Sequence, residues 1–179
     1  MKRYVALLRG INISGRNRIP MDELKKGFEE LAFQQVRTYL NSGNVIFDTE
    51  EEDAGSMARR IRKMITEKFV PDIPVHVMEL DELADILNNA PDWWDNGDPE
   101  IYDNLIFILP PARFSDVYAQ IGEPKEGLER IEEYRNTIFW SFRRKDYQKT
   151  NWWPKTASAK IKDSLTIRTA NTVRKIICL

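Results

Sequence analysis

A chain of 179 residues with 42% apolar, 31% charged and 11% aromatic side chains has the make-up of an ordinary globular protein, long enough to bury a core without disulfide or metal staples. Its single cysteine, Cys178, excludes an internal disulfide, and no Cys/His cluster has the spacing of a zinc ligand set. The longest apolar run, Tyr4 to Leu8, is far below the roughly 20 residues of a membrane helix and no signal-peptide pattern opens the chain, so a cytoplasmic location is expected.

The net charge of −1 conceals a segregation. Residues 1–80 carry 13 basic and 12 acidic groups, residues 81–135 carry 4 and 14, and residues 136–179 carry 10 and 2. A C-terminal quarter this basic either seeks an external anion or pairs with the acidic middle of its own chain. Internal pairing is the expectation.

In chain order, Tyr4 to Leu8 is apolar without alternation and reads as a strand buried on both faces, punctuated by Gly10. Pro20 precedes a helix whose stripe is Met21, Leu24, Phe28 and Leu31. Val36 to Leu40 and Val45 to Phe47 are short strands around Asn41, Ser42, Gly43 and Asn44, a composition suited to a tight hairpin. The acidic run Glu50 to Asp53 leads into a second helix with Met57, Ile61, Met64 and Ile65 on one face, stopped by Pro71 and Pro74. Val75 to Met78 gives a fourth strand. Strand, helix, strand, strand, helix, strand is the split βαβ order of ferredoxin-like domains.

From Asp81 a less regular copy follows. It comprises a short helix with Leu83, Ile86 and Leu87, a loop anchored by Trp93 and Trp94, and an apolar strand from Leu105 to Leu109 stopped by Pro110 and Pro111. A helix with Phe114, Val117, Tyr118 and Ile121 comes next, then a hairpin of Leu128 to Tyr134 and Thr137 to Phe142 turning at Arg135 and Asn136. The basic remainder reads as two helical pieces, the last with Val173, Ile176 and Ile177 on one face. The fold class is therefore α+β, with a ferredoxin-like half at 1–80 and a less regular α+β half at 81–179. Because the apolar runs of both halves lack alternation, the two are expected to pack through a shared interface.

Ala6-Leu7-Leu8-Arg9-Gly10-Ile11-Asn12, Gly15-Arg16-Asn17-Arg18-Ile19-Pro20-Met21 and Thr38-Tyr39-Leu40-Asn41-Ser42-Gly43-Asn44-Val45-Ile46-Phe47 resemble a widespread bacterial family known as domain of unknown function sixteen ninety-seven. The likeness extends through Asp103 to Pro110 and Arg168 to Val173. It implies a two-part α+β protein of ferredoxin-like character and carries no activity. Where relatives show Arg-Asn near the end, this chain has Arg168-Thr169, so no role resting on an Asn there transfers.

Topology supplies the site expectation. In a split βαβ unit the loop after strand one and the hairpin between strands two and three open at one end of the sheet. The first loop offers Arg9, Gly10, Asn12, Gly15, Arg16 and Asn17, and the second offers Asn41, Ser42, Gly43 and Asn44. Guanidinium forks, amide side chains and backbone donors are what an anionic oxygen cluster needs. A small anionic or nucleotide-like ligand is the leading reading, with a small-molecule transferase using the same cleft as an alternative.

Gly10 to Asn17 reads G-x-x-x-x-G-R-N, a near miss to the phosphate loop of nucleotide hydrolases. Arg16 replaces the Lys, Asn17 replaces the magnesium-binding hydroxyl and Pro20 interrupts the run into the helix, so that chemistry is set aside.

A second alternative is single-stranded nucleic acid, held by the interleaved aromatics and cations Trp140, Phe142, Arg143, Arg144, Lys145, Tyr147, Lys149, Trp152, Trp153 and Lys155. Catalytic signals are weak. His76 between Val75 and Val77 reads as structural, Cys178 as packed in an apolar turn, and no residue pattern calls for a metal or cofactor.

Overall fold

The computed structural model describes residues 1–69 and 72–179, which divide into two compact units: Met1–Ala84 with Lys175–Leu179, and Asp85–Arg174. In the first unit the order is β1 (Lys2–Leu8), α1 (Met21–Glu30), β2 (Gln34–Tyr39), β3 (Asn44–Thr49), α2 (Ala54–Lys68) and β4 (Val75–Glu79). The strands form one antiparallel sheet in the order β2-β3-β1-β4, which is the ferredoxin-like arrangement.

The local chemistry follows the sequence. Asp53 caps α2 by accepting from the backbone N–H groups of Gly55 (2.9 Å) and Ser56 (3.1 Å). The stripe Met57, Ile61, Met64 and Ile65 joins Leu24 and Phe28 of α1 over Tyr4, Ala6, Leu8 and Phe47. Pro71, expected to stop α2 together with Pro74, lies outside the described residues. Tyr4 to Leu8 are all fully buried, so both faces of β1 are dry, as its unbroken apolar run implied.

Helix α3 (Leu80–Asn88) leads into the second unit, where β5 (Ile101–Ile108), α4 (Phe114–Ile121), β6 (Glu129–Tyr134) and β7 (Thr137–Arg143) repeat the first four steps. Arg135 (φ 47°) and Asn136 (φ 58°) form the two-residue turn of the β6–β7 hairpin, both in the left-handed region that such turns require. After it come a 3₁₀ turn (Arg144–Lys149), α5 (Trp152–Ser158), a second 3₁₀ turn (Lys160–Ser164), β8 (Leu165–Thr169) and α6 (Ala170–Ile176).

The sheet order β6-β7-β5-β8 is that of the first unit. The basic quarter therefore differs from the two helical pieces expected of it. Leu165, Thr166 and Ile167 are a short β-capable run, and their strand exists because it can pair with the buried centre of β5, Ile106 facing Ile167 and Phe107 facing Thr166. A five-residue strand is too short to reveal its period from sequence.

The internal charge pairing expected of the basic quarter is seen at Arg174. Arg174 reaches Asp95 of the acidic middle at 2.9 Å. Among the described residues, Arg143, Arg144 and Lys145 make no ion pair. No described helix is long and apolar enough to cross a membrane.

Candidate functional site

The loop after β1 and the β2–β3 hairpin meet at one end of the first unit's sheet. Leu7 of β1 pairs with Asn44 of β3, and the next backbone N–H, that of Leu8, donates to the Gly43 carbonyl at 2.8 Å. Asn12 clamps the two segments. Its Nδ2 donates to the carbonyls of Asn41 (2.9 Å) and Ile19 (3.0 Å), and its Oδ1 accepts from the Ile19 N–H (2.9 Å).

Gly43 makes that approach possible. It has φ 83°, and a Cβ built on it would lie 2.7 Å from Leu8 Cβ and 2.9 Å from Ile11 Cδ1, both buried. The contact between the two loops is thus a property of backbone as much as of side chains.

The remaining expected residues fall around this junction. Residues 12–17 fold back on themselves: the Asn12 N–H donates to the Asn17 carbonyl (3.0 Å), the Arg16 N–H donates to the Ile13 carbonyl (2.8 Å), and Ser14 and Gly15 take positive φ at the tip. Those amides are therefore turned into their own turn, and α1 begins only at Met21, so no phosphate cradle of the nucleotide-hydrolase kind forms.

Asn17 Nδ2 donates to the Gly10 carbonyl (2.9 Å), and the buried Asn44 Nδ2 donates to the Tyr39 carbonyl (2.8 Å) and Ser42 Oγ (3.1 Å). These amides position the loops. Arg9 is half-buried, with its backbone N–H on the Pro74 carbonyl, whereas Arg16, Arg18, Asn41 and Ser42 are exposed. Residues 9–20 and 40–44 contain three arginines and no carboxylate. Ile13 and Leu40, one on each loop, are 59% and 52% exposed. The rim is cationic with an apolar margin.

Other candidates resolve differently. His76 pairs with Leu7 across β1–β4, and desolvation pushes its imidazole down to about 4, which leaves it neutral at pH 7. Cys178 is exposed rather than packed as expected, because the chain end leaves the apolar face that Val173 and Ile176 occupy. Among the described residues, no group of three or more His, Cys, Asp or Glu side chains is arranged to hold a metal ion. Trp94 is an anchor: its indole N–H donates to the Asn104 carbonyl at 2.9 Å and its ring packs edge-on against Phe139.

Sequence reasoning missed Glu129. Though buried, this carboxylate accepts from the Trp140 indole N–H (3.0 Å) and from the backbone N–H groups of Lys125 (2.9 Å), Asn151 (2.6 Å) and Trp152 (3.3 Å). It ties β6 to β7 and to the start of α5. Within an acidic run Glu129 looked like any solvated carboxylate, and only the Trp140 two strands-worth of chain away hinted at a buried acceptor. A cavity of about 540 Å³, lined in part by Trp93, Glu129, Arg130 and Phe142, opens beside it.

Comparison with known proteins places the chain. Its residues 1–139 match the model of a family described as "Protein of unknown function (DUF1697)". The chain is also similar to the conserved bacterial protein SP0830 from Streptococcus pneumoniae, whose solved structure superposes with a TM-score of 0.86 at 25% identity over 99% of this chain and 97% of that one. No curated protein matches the sequence. Two antiparallel four-stranded sheets of ferredoxin-like order, the loop motifs of the first unit and the family match over residues 1–139 together make this chain a member of the DUF1697 family.

Proposed function

We propose that the rim formed by the β1–α1 loop and the β2–β3 hairpin binds a small anionic ligand, such as a phosphate-bearing metabolite or nucleotide, in the cytoplasm. One observation carries the reading: two loops bearing Arg9, Arg16 and Arg18 and no carboxylate are pinned together by Asn12 on the Asn41 carbonyl. The exposed guanidinium groups of Arg16 and Arg18, which have no carboxylate partner among the described residues, raise the local concentration of anions and offer bidentate forks to phosphate or carboxylate. In this picture Arg9, Arg16 and Arg18 supply charge and Ser42 a hydroxyl. Asn12, Asn17 and Asn44 hold the loops that present them, and Gly10, Gly15 and Gly43 supply the backbone turns.

The test is thermal unfolding of the full chain with a panel of inorganic phosphate, pyrophosphate, sulfate and adenine nucleotides. A true ligand at one hundred times its Kd adds about 2.7 kcal/mol and raises Tm by several degrees. Replacing the exposed Arg16 and Arg18 with Ala should remove that shift and leave the unliganded Tm nearly unchanged. Absence of a shift from every anion, or an undiminished shift in the double variant, would remove the proposal.

A further inference from the structure

The aromatic and basic residues that interleave along 140–155 separate, on folding, into two groups. Trp140, Phe142 and Trp152 are core residues, 1%, 2% and 0% exposed. Trp153 is not: it is 39% exposed, and its ring stands edge-on to Tyr147 (5.0 Å between centroids) and Phe142 (5.6 Å). A large aromatic that is braced from behind and open in front is a stacking platform rather than a loose side chain.

Beside it Arg144 is equally fixed. Its guanidinium lies 4.6 Å over the Tyr102 ring, and its Nε donates to the Pro99 carbonyl at 3.0 Å. Among the described residues, three clefts touch this arginine: one of about 410 Å³ that Asp95, Asp98 and Asp103 also line, and two smaller, shallow ones. Of the smaller two, one of about 260 Å³ is walled by Tyr102, Phe142, Arg144, Tyr147 and Trp153; the other, of about 270 Å³, by Pro99, Glu100, Arg143, Arg144 and Lys145. An aromatic cleft thus adjoins a cationic one.

Residues 143–145 themselves are all cationic, whereas Asp95, Asp98 and Asp103 line the larger cleft that Arg144 also touches. Asp146 is held low by its bond to Lys149, with further help from Lys145 and Arg143, and Arg143, Arg144 and Lys145 have no carboxylate partner among the described residues. Glu100 is the acid that lines the cationic cleft.

We infer that this face of the second unit binds single-stranded nucleic acid, with a base stacked on Trp153 in the aromatic cleft and the adjoining phosphates on Arg143, Arg144 and Lys145. The shape favours a strand over a free nucleotide. Pockets that enclose small ligands usually hold about 300–1,000 Å³ and bury most of the ligand, whereas the aromatic and cationic clefts are smaller, lie side by side and leave the platform exposed. Three unpaired cations on one short segment match successive phosphates of a chain. The inference stands apart from the rim of the first unit, since it rests on none of the same residues.

The experiment is fluorescence anisotropy of a labelled oligothymidylate of roughly 12 nucleotides, within the usual site size for such platforms. The full-length protein is titrated at protein concentrations up to roughly 100 μM, the weak end of sequence-independent binding. Binding is expected, with affinity falling linearly in log salt between roughly 50 and 200 mM. Trp153→Ala should weaken it by about 5- to 150-fold, the loss of one stacked base, while Trp153→Phe retains most of the affinity.

Because Trp153→Ala uncovers Phe142 and could disturb the fold, the exposed pair Arg143→Gln/Lys145→Gln provides an independent arm. It should flatten the log–log salt slope by about 1.4, close to 0.7 for each lost phosphate contact on a single strand. The Arg16→Ala/Arg18→Ala variant should bind the oligonucleotide as the parent does. No anisotropy change, parental affinity and slope in both sets of variants, loss of binding in the Arg16/Arg18 variant, or full competition by AMP at concentrations matching the oligonucleotide would each overturn the inference. The last of these outcomes would mark a site for free nucleotides.

Discussion

Asn12 and Asn136 do the same work in the two units from opposite sides. In the first unit Asn12 sits in the loop after the opening strand and donates across to the hairpin carbonyl of Asn41. In the second, Asn136 sits in the hairpin and donates back to the loop carbonyls of Ala112 (3.2 Å) and Ile108 (3.4 Å), while its Oδ1 accepts from the Phe114 N–H at the start of α4. The backbone contact is shared too, Leu8 N–H to Gly43 carbonyl at 2.8 Å and Ile108 N–H to Asn136 carbonyl at 3.3 Å. Both asparagines have positive φ, 54° and 58°, a conformation that Asn tolerates better than other side-chain-bearing residues.

Replacing either asparagine with Ala removes about three hydrogen bonds and adds left-handed strain, so each variant should lose about 2–3 kcal/mol. Urea denaturation with an unchanged m-value checks this. A loss below about 0.5 kcal/mol for either one would show that the junction is held by backbone alone.

Gly43 and Gly15 share a left-handed φ, 83° and 77°, but not surroundings. A methyl at Gly43 meets the buried Leu8 and Ile11, whereas nothing lies within 4 Å of one at Gly15. Gly15→Ala should therefore cost only the conformational penalty of about 1–2 kcal/mol, and Gly43→Ala about 2 kcal/mol more than that. Equal melting points for the two variants would contradict the close approach of the loops.

Glu129 is a buried carboxyl side chain whose oxygens accept from one indole and three backbone donors. Glu129→Ala leaves those donors stranded and should destabilise by about 3–5 kcal/mol. Glu129→Gln, which turns an NH₂ group toward N–H donors, should lose about 2 kcal/mol. Trp140 fluorescence would report the changed partner of its indole. An Ala variant as stable as the parent would mean that water takes over the carboxylate's role.

His76 makes stability depend on pH with a definite sign. Its folded value of about 4 lies below the usual 6.5, so above pH 6.5 it is neutral in both states and contributes nothing. As pH falls from 6.5 toward 4, the unfolded chain binds a proton that the folded chain refuses, and stability drops by up to about 3 kcal/mol. The difference in unfolding free energy between the parent and His76→Gln should trace this curve and level off below pH 4. A flat difference would mean that the imidazole is hydrated in the folded state.

Much of the fold was legible in the residues. The fully apolar runs at Tyr4–Leu8 and Leu105–Ile108, the Met57–Ile65 stripe and the turn residues Arg135 and Asn136 each obey a local rule, a period or a backbone preference that a sequence displays directly. The meeting of Asn12 with Asn41 was legible as topology, because the order of strands alone brings those two loops to one end of the sheet.

Tertiary structure decided what depends on partners remote in the chain. Strand β8 exists only against β5, Glu129 is a buried acceptor only because Trp140 and the start of α5 close over it, and Trp153 is exposed where its neighbour Trp152 is core. The loop amides expected to face a ligand are turned into the loops themselves, leaving the rim to its arginines. Propensity and periodicity act between near neighbours. Burial, pairing and the fate of a polar group are set by atoms that folding alone brings within a few ångströms.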